Sequence, residues 1–384
     1  MFDDRAERAQ RTARYSSRNT RRRFLASATA FGAAAIASPA ILRTANAKDL
    51  TKVKMILAWL PEGSYAYAYV AKKKGYWEKR GLDVDIARGY GSLASAQSVS
   101  NGQFDFGMSN PASIVLLAAK QVDLSMIGLM DYNAFMAVGL RKNSPIKAPK
   151  DLEGKTVGQT LSSSDAAFFP LFCDKAGVDI SKVHRQNMDA KVRNQSLGGG
   201  QVDAITGLVS SMLPSLSTVG VQTKYFLYSD YGVDLYGNIG IAVTPQTLKD
   251  RGDICQAYMD GLAEGLHHTI TDPKGAVEIF LDAVPELRMS SSGPEFARLG
   301  MSVQRASVLS TDDAKQHGIG WADPAKLDEM ADLVLQYQLP KGTKKPNVGE
   351  IFTNRFAGRV KFTDAEWAKA KQDTADIEQT LRSK

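Results

Sequence analysis

The chain has 384 residues, of which 43% are hydrophobic, 23% charged and 8% aromatic. This composition is typical of a globular protein, and it excludes a disordered chain, a collagen-like chain and a small disulfide scaffold. The formal net charge is +7, but residues 1–47 alone hold nine Arg against three acidic residues, so the remainder is almost neutral. The basic character belongs to the N-terminal segment, and we therefore expect no nucleic-acid partner.

The first 47 residues have the pattern of an export signal. An Arg run at 21–23 precedes an Ala-rich, modestly apolar stretch that extends to about residue 42, and Ala-Asn-Ala follows at 45–47. The small side chains of this triplet suit a signal peptidase and predict a cut after Ala47. The pattern resembles a twin-arginine signal, which implies the twin-arginine export machinery as a partner and a periplasmic location. An amphipathic helix is the weaker alternative, and the stretch is too rich in Ala for a membrane anchor.

From residue 48 onwards, short β-like segments alternate with helical ones. The first series predicts strands at 53–59, 82–87, 104–108, 124–129 and 134–141, and helices at 64–80, 92–101 and 111–120. Within 64–80 three tyrosines alternate as they would in a strand, but the Lys run at 72–74 and the stop at Gly81 favour a helix. This order predicts a largely parallel sheet covered by helices on both faces.

A polar connector at 142–150 leads into a second series. It predicts strands at 156–159, 182–187, 204–207 and 236–243, and helices at 165–176, 191–198 and 210–219. After residue 253 the pattern is mostly helical. Two such series predict two α/β lobes, the first built from 48–143 with 240–384 and the second from 144–239, with crossings near 141–145 and 238–243. Because open α/β sheets bind ligands beyond the carboxyl ends of their strands, we expect a ligand cleft between the lobes.

The two cysteines, Cys173 and Cys255, fall in different lobes of this plan. An exported chain permits a disulfide, but a bridge between lobes would oppose their relative movement. We therefore expect two free, buried thiols.

Several segments, taken in order, resemble the periplasmic solute-binding proteins. They are Trp59-Leu60-Pro61, AKKKGYWEKRGLDVD at 71–85, GQFDFG at 102–107, DLEGKTVG at 151–158 and GQVDA at 200–204. The chain is similar in particular to the NMT1/THI5-like branch, which is related to thiamine pyrimidine precursor binding and to sulfonate, taurine and nitrate binding proteins. The resemblance covers about residues 53–243. It implies the type II periplasmic binding fold and an ABC permease in the inner membrane as a partner.

Loops that follow the predicted strands supply the candidate ligand-binding residues of the first lobe: Trp59, Glu62, Tyr65, Gly91, Ser92, Ser109 and Asn110. Trp59 matches an aromatic residue of the pyrimidine binders, and stacking on a ring would contribute about 1–3 kcal/mol; a core position is the equal alternative. The segment 89–94 has the G-x-G-x-x-A spacing of a dinucleotide site, but no acidic residue ends the next strand. A polar clamp at a helix start is therefore favoured.

In the second lobe the candidates are Ser162, Ser163, Ser164, Asp165, Ser210, Asp234 and Asn238. The hydroxyls and the acid at 160–165 precede a predicted helix, so they suit an anion or a carbonyl and equally a plain helix cap. Glu62 or Asp234 could accept a hydrogen bond from an exocyclic amine. Only Arg88 among the arginines falls squarely in a predicted loop, which argues against a sulfonate or nitrate ligand.

The catalytic motifs that we considered do not fit this chain. The segment 154–156 lacks the first glycine of a phosphate loop, and the histidines do not have the spacing of a zinc site. The sequence predicts the non-enzymatic binding component of an ABC importer, a monomer without a cofactor, which captures a small, pyrimidine-like heteroaromatic nutrient by lobe closure. A binder of aliphatic sulfonate, taurine or nitrate is one alternative. A pyrimidine-synthase-like enzyme of the same superfamily is the other, although its cysteine-rich stretch has no counterpart here.

Overall fold

The strands of the protein form two five-stranded sheets in the computed structural model, which describes residues 50–382. The predicted export signal and its cut after Ala47 lie outside the described residues. In chain order the strands are β1 (Thr51–Ile56), β2 (Leu82–Ala87), β3 (Phe106–Ser109), β4 (Ser125–Leu129), β5 (Met136–Arg141), β6 (Thr156–Gln159), β7 (His184–Asn187), β8 (Ala204–Leu208), β9 (Thr223–Leu227) and β10 (Gly240–Val243). The first sheet has the order β2-β1-β3-β10-β4 and the second the order β7-β6-β8-β5-β9.

Both sheets are mixed. In the first, β1 is parallel to β2 and β3, whereas β10 is antiparallel to β3 and β4. In the second, β6 is parallel to β7 and β8, whereas β5 is antiparallel to β8 and β9. A helix returns the chain between parallel strands, but β5 and β10 arrive directly from the other sheet and so run the opposite way. The predicted pair of α/β lobes is confirmed, with one reversed strand in the middle of each sheet.

Strand β5 belongs to the second sheet. Its Ala137 lies opposite Gly207 of β8 on one side and Leu227 of β9 on the other. The sequence predicts this strand, with all residues up to 143, in the first lobe, because the polar segment 142–150 has the composition of a crossing. The structure places the crossing earlier, since β5 is a short apolar strand, buried over 136–140, that pairs with β8 and β9 of the second sheet. The sequence pattern also missed β9.

Helices cover both sheets. They are α1 (Ala66–Lys73), α2 (Ser92–Ser100), α3 (Pro111–Ala119), α4 (Ser164–Lys175), α5 (Ala190–Gly198), α6 (Val209–Ser217), α7 (Pro245–Asp250), α8 (Gly252–Thr271), α9 (Pro273–Ala283), α10 (Pro285–Arg288), α11 (Gly293–Val308), α12 (Asp313–His317), α13 (Pro324–Gln338), α14 (Val348–Ile351) and α15 (Asp364–Arg382). The helix predicted at 64–80 is shorter, because α1 ends at Lys73 and the chain then turns to Gly81, whose φ is +79°. Within residues 50–382 we find no helix that is both long and apolar enough to span a membrane.

The C-terminal helices contact both lobes. Helices α8 and α9 pack on α1 of the first lobe, whereas α11 packs on α6 of the second. Leu381 of α15 and Val303 of α11 are buried in the same apolar cluster as Ile205 of β8. The C-terminal segment, predicted to belong with the first lobe, therefore ties the two lobes together.

Two chain segments, 130–135 and 232–239, carry the chain between the sheets and are here called the hinge. They run side by side in opposite directions. The Met130 amide donates to the Ile239 carbonyl at 2.7 Å, and the Gly237 amide donates to the Tyr132 carbonyl at 3.1 Å. Because these bonds join the two segments, a movement of one lobe relative to the other must rotate about both together.

The Asp131 carboxylate reinforces the hinge from within. Its Oδ1 accepts from the Ile239 amide at 2.8 Å and its Oδ2 accepts from Asn238 Nδ2 at 3.2 Å. Burial raises the pKa of Asp131 to about 7, and the hydrogen bonds from Ile239 and Asn238 limit this rise. Asp131 thus fixes the spacing of the two hinge segments.

Both cysteines are free and buried, as expected. Cys173 lies in α4 of the second lobe and Cys255 in α8. Burial raises the pKa of the Cys173 thiol to about 12 and that of the Cys255 thiol to about 11. Both side chains therefore act as small apolar groups at neutral pH.

Candidate functional site

A small cavity lies between the lobes, beyond the carboxyl ends of the parallel strands, and is here called the cleft cavity. The first lobe lines it with Ala58, Trp59, Glu62, Tyr65, Gly91 and Ser92, and the second with Ser163, Ser164, Asp165, Arg193, Leu208, Ser210 and Ser211. Its volume is about 20 Å³, which is room for about one water molecule. The two lobes are therefore shut against each other in this structure.

Most of the predicted ligand-binding residues meet at the cleft cavity. They are Trp59, Glu62, Tyr65, Gly91, Ser92, Ser163, Ser164, Asp165 and Ser210. Each follows the carboxyl end of a parallel strand or lies near the start of the helix after it. This is why they could be predicted from the ends of the strands in the sequence.

Ser109 and Asn110 lie outside the lining and support it. Ser109 Oγ donates to the Ser92 carbonyl at 2.9 Å, so it fixes the loop that carries Ser92. The Asn110 side chain accepts from the Ala112 amide at 3.0 Å and donates to the Gly237 carbonyl at 3.1 Å. Asn110 is thus a helix cap that also holds the hinge, and both of its side-chain polar atoms are hydrogen-bonded within the protein.

Asp234 and Asn238 also lie away from the cleft cavity. Asn238 donates to Asp131 within the hinge. Asp234 is exposed and lines a larger cavity of about 840 Å³, whose other lining residues include Tyr132, Tyr236 and Lys326. Asp234 and Asn238 both lie in the hinge segment 232–239 and not after the carboxyl end of a parallel strand, so the expectation drawn from strand ends does not apply to them. We call this second space the hinge cavity.

Glu62 joins the two lobes. Its side chain is 3% exposed, and its Oε1 accepts from Ser211 Oγ of the second lobe at 2.8 Å. Burial raises the pKa of Glu62 to about 8, although the bond from Ser211 and the charge of Arg193 both lower it. The carboxyl is therefore protonated at neutral pH, and it can donate one hydrogen bond as well as accept.

Arg193 is a cleft residue that the sequence reasoning missed. Its side chain, on α5, is only 1% exposed, and its Cζ lies 5.1 Å from the centroid of the Trp59 ring. Arg193 lies within a helix, whereas the residues predicted from the sequence lie in loops or at helix starts. A signal was present, since Ala190, Arg193 and Leu197 share one helix face and a charged residue interrupts an otherwise apolar stripe. A lack of arginine therefore does not count against an anionic ligand, because Arg193 lines the cleft cavity.

Asp165 is held rigidly beside Arg193. Its Oδ2 accepts from Thr206 Oγ1 at 2.6 Å and lies 4.0 Å from Arg193 Nη1. The Asp165 carbonyl accepts from Tyr228 Oη at 3.0 Å. Because Asp165 balances the charge of Arg193 and Glu62 is protonated, the cleft cavity is close to neutral overall.

The entrance to the cleft is closed by direct contact between the lobes. Ser162 Oγ of the second lobe donates to the Tyr90 carbonyl of the first. Gly91 has a φ of +117°, and a Cβ on it would stand 2.1 Å from the Ser162 carbonyl oxygen. Only glycine allows the lobes to approach this closely. We call Tyr90, Gly91 and Ser162 the entrance contact.

Comparison with known proteins gives both a family and a fold. The model of the family described as NMT1/THI5 like matches residues 63–276. A formylaminopyrimidine-binding protein from Halalkalibacterium halodurans is 24% identical over 233 residues, 60% of this chain and 70% of that protein. The riboflavin-binding protein RibY from Chloroflexus aurantiacus is 23% identical over 304 residues, 75% of this chain and 81% of that protein.

Solved structures share the two-lobe arrangement. The alkanesulfonate-binding protein SsuA from Xanthomonas axonopodis pv. citri, bound to MOPS, matches with a TM-score of 0.61 at 13% identity over 79% of this chain and 99% of that chain. This likeness shows the periplasmic binding protein fold. One more distant relative is an enzyme: a 4-amino-5-hydroxymethyl-2-methylpyrimidine phosphate synthase from Legionella pneumophila, 19% identical over 322 residues, 82% of this chain and 95% of that protein.

Proposed function

Because this chain belongs to the NMT1/THI5-like family, we propose that it is the periplasmic substrate-binding component of an ABC importer. In this proposal it captures a small, pyrimidine-like heteroaromatic nutrient by closing its two lobes. The observation that carries the proposal is the cleft cavity, where an indole and a protonated carboxyl of one lobe face Ser211, Asp165 and Arg193 of the other. An aromatic face with a few polar groups around it is the usual lining of a site for a ring compound.

The shut cleft explains why binding and lobe movement belong together. A ring compound does not fit into about 20 Å³, so the lobes must part before it enters. A ligand of micromolar affinity needs about −8 kcal/mol. Stacking on Trp59 would supply about 1–3 kcal/mol of this, and hydrogen bonds to the buried polar groups would supply more.

The relatives support a ring over an aliphatic anion. Two of them are named for formylaminopyrimidine and riboflavin, which both contain a heteroaromatic ring. The sulfonate-binding structure shares the fold at 13% identity and says nothing of the ligand of this chain. A ring ligand would also use the face of Trp59, which an aliphatic anion would not.

The proposed function includes release of the ligand unchanged. Cys173 and Cys255, the two potential thiol nucleophiles, are buried and lie outside the cleft lining. Glu62 is already hydrogen-bonded to Ser211. The synthase relative makes the matter testable: a candidate ligand incubated with the protein should be recovered intact by mass spectrometry, and any stoichiometric product would overturn this part of the proposal.

Export and assembly form the remaining part of the proposal. The leader that ends at Ala47 would direct a folded chain through the twin-arginine machinery into the periplasm, where a monomer would meet the permease. N-terminal sequencing of the exported protein should give Lys48 as the first residue, and light scattering should give the mass of one chain. Export that survives replacement of Arg21, Arg22 and Arg23 by Lys would contradict the twin-arginine route.

Calorimetry tests the ligand class directly. We expect the exported protein to bind riboflavin, formylaminopyrimidine or hydroxymethylpyrimidine with micromolar or tighter affinity, and to give no heat with taurine, MOPS or nitrate. Mass spectrometry of small molecules that co-purify with the protein provides an independent route to the ligand. Binding of the sulfonates alone would overturn the proposal of a heteroaromatic ligand.

A further inference from the structure

The Arg193 guanidinium has more hydrogen-bond donors than the protein uses. Of its five N–H groups, Nε–H donates to Asn194 Oδ1 at 3.2 Å. Among residues 50–382 the two Nη nitrogens make no hydrogen bond, since the Asp165 oxygen lies 4.0 Å from Nη1, beyond hydrogen-bonding distance. Four donors of a side chain that is 1% exposed therefore have no acceptor among these protein residues, and this side chain lines the cleft cavity.

Such a group is costly unless something satisfies it. A buried polar group without a partner destabilises a fold, and a charged one does so more strongly. Asp165 compensates the charge of Arg193 but leaves its Nη donors unbonded, because Oδ2, which accepts from Thr206 Oγ1 at 2.6 Å, lies 4.0 Å from Nη1. The planar guanidinium presents its donors as a fork that suits a carbonyl or a carboxylate.

We infer that Arg193 is a ligand-binding residue that selects rings carrying a carbonyl oxygen, to which its Nη groups donate. This inference rests on the proposed function and narrows the substrate class within it. Arg193 belongs to the second lobe and Trp59 to the first. Arg193 therefore binds the carbonyl edge of the ligand from one side of the cleft, and Trp59 contacts the face of its ring from the other.

The charges around Arg193 favour an uncharged ligand. Asp165 already lies beside the guanidinium, and the Glu62 carboxyl is protonated at neutral pH. A carboxylate or sulfonate would therefore add a net negative charge to a neutral, poorly solvated cavity. A neutral carbonyl satisfies the same donors without this penalty.

The position of Arg193 over Trp59 means that the guanidinium must move when a ligand ring stacks on the indole. Its Cζ lies 5.1 Å from the indole centroid, which is too close for a ring to stack between them. A ring that stacks on Trp59 therefore displaces the guanidinium from the indole face towards the edge of the ring. There its Nη groups can reach a carbonyl oxygen.

Calorimetry with two probes tests the inference. Riboflavin carries carbonyl oxygens on its ring, and hydroxymethylpyrimidine carries none. We expect the wild-type protein to bind riboflavin more tightly, and Arg193→Met to weaken riboflavin binding by about 10- to 100-fold while changing hydroxymethylpyrimidine binding little. Arg193→Lys keeps the charge without the fork and should give an intermediate loss. Arg185→Met changes an exposed arginine of the same lobe and should leave both affinities unchanged.

The ratio of the two affinities protects the test against a folding defect. A partly unfolded variant loses binding of both probes equally, whereas removal of a carbonyl contact changes the ratio. An unchanged ratio in Arg193→Met and Arg193→Lys would overturn the inference and leave the proposed function intact. If the wild-type protein binds neither these probes nor formylaminopyrimidine, the proposed function itself fails, and the inference fails with it.

Discussion

The Glu62 carboxyl links the protonation state of the cleft to the stability of the molecule. Its pKa is raised from 4.5 to about 8 by burial, so the folded chain holds a proton that the unfolded chain releases. The contribution of Glu62 to folding is therefore fully present below about pH 4.5, falls as the pH rises, and is lost above about pH 8. Asp131 acts in the same direction up to about pH 7.

We predict that Glu62→Gln flattens this pH dependence. Glutamine can still accept from Ser211 Oγ but cannot ionise, so the variant should avoid a loss of up to a few kcal/mol between pH 5 and 8.5. Urea unfolding across this range measures the effect. Glu286→Gln, at an exposed position, is the matched control. Equal slopes for the wild-type protein and Glu62→Gln would show that the Glu62 carboxyl is ionised in the folded state.

Trp59 gives a second prediction, concerned with ligand chemistry. Replacing it by Ala removes the stacking surface and should weaken binding of a heteroaromatic ligand by about 1–3 kcal/mol. Trp59→Phe keeps an aromatic face and should lose less. Calorimetry on both variants provides the comparison, and a Trp59→Ala variant that binds its ring ligand as tightly as wild type would assign Trp59 to the core alone.

The same residues show how far sequence reasoning reaches. Trp59, Glu62 and Asp165 could be predicted because each follows a strand whose position along the chain is visible in the apolar pattern. Arg193 could not be found in this way, because it lies within a helix and its burial depends on contacts with both lobes. The bond between Glu62 and Ser211 depends on lobe closure, which no local pattern encodes.

The loop between β2 and α2 controls how closely the lobes approach. Gly91→Ala would place a methyl group 2.1 Å from the Ser162 carbonyl oxygen at a φ of +117°. We predict that this variant holds the cleft open, with a larger radius of gyration by X-ray scattering and weaker ligand binding. Gly102→Ala also has a positive φ, +71°, but would meet nothing within 4 Å. It should be somewhat less stable and close normally, and equal scattering from both variants would contradict the role of the entrance contact.

The hinge offers a test of how the two crossing segments are held together. Asp131→Ala leaves the Ile239 amide and the Asn238 side chain without their acceptor. We expect a loss of about 2–6 kcal/mol, since each of the two buried unpaired groups costs about 1–3 kcal/mol. Asp131→Asn keeps one oxygen and should lose less. Urea unfolding of both variants at pH 7 checks the order, and equal stability would show that water replaces the carboxylate.

The elements also show why the crossings were misplaced. Most predicted strands and helices were confirmed within a few residues, because their apolar periodicity and their caps are local. The segment 142–150 has the composition of a linker, yet it joins two strands of the same sheet. The pairing of β5 with β8 and β9 decides which sheet it joins. The sequence of β5 alone does not specify these partners.

At the scale of the whole molecule, the hinge cavity is distinct from the cleft cavity, and Asp234 lines the hinge cavity. It is lined by both hinge segments and by α11, α13 and α15, so rotation of the lobes must change its width. It is wide while the cleft is shut. We predict that Asp234→Trp, which places a bulky ring in this space, favours the shut arrangement and tightens ligand binding, whereas Asp234→Ala changes neither. Scattering and calorimetry measure both, and weaker binding by Asp234→Ala would return this residue to the ligand site.

The order of motifs along the chain was sufficient to predict the two-lobe fold and the family. The packing of the C-terminal helices on both lobes was not predictable, because the amphipathic pattern of a helix does not specify which surface it covers. The burial of Leu381 beside Ile205 joins segments far apart in the sequence.

The burial of both native thiols has a practical consequence. With pKa values of about 12 for Cys173 and about 11 for Cys255, neither competes for a maleimide dye at neutral pH. A single cysteine introduced at Glu378, which lines the hinge cavity, would take up the fluorophore selectively. Its emission would then follow the rotation of the lobes, and one substitution would convert this protein into an optical sensor for its own nutrient.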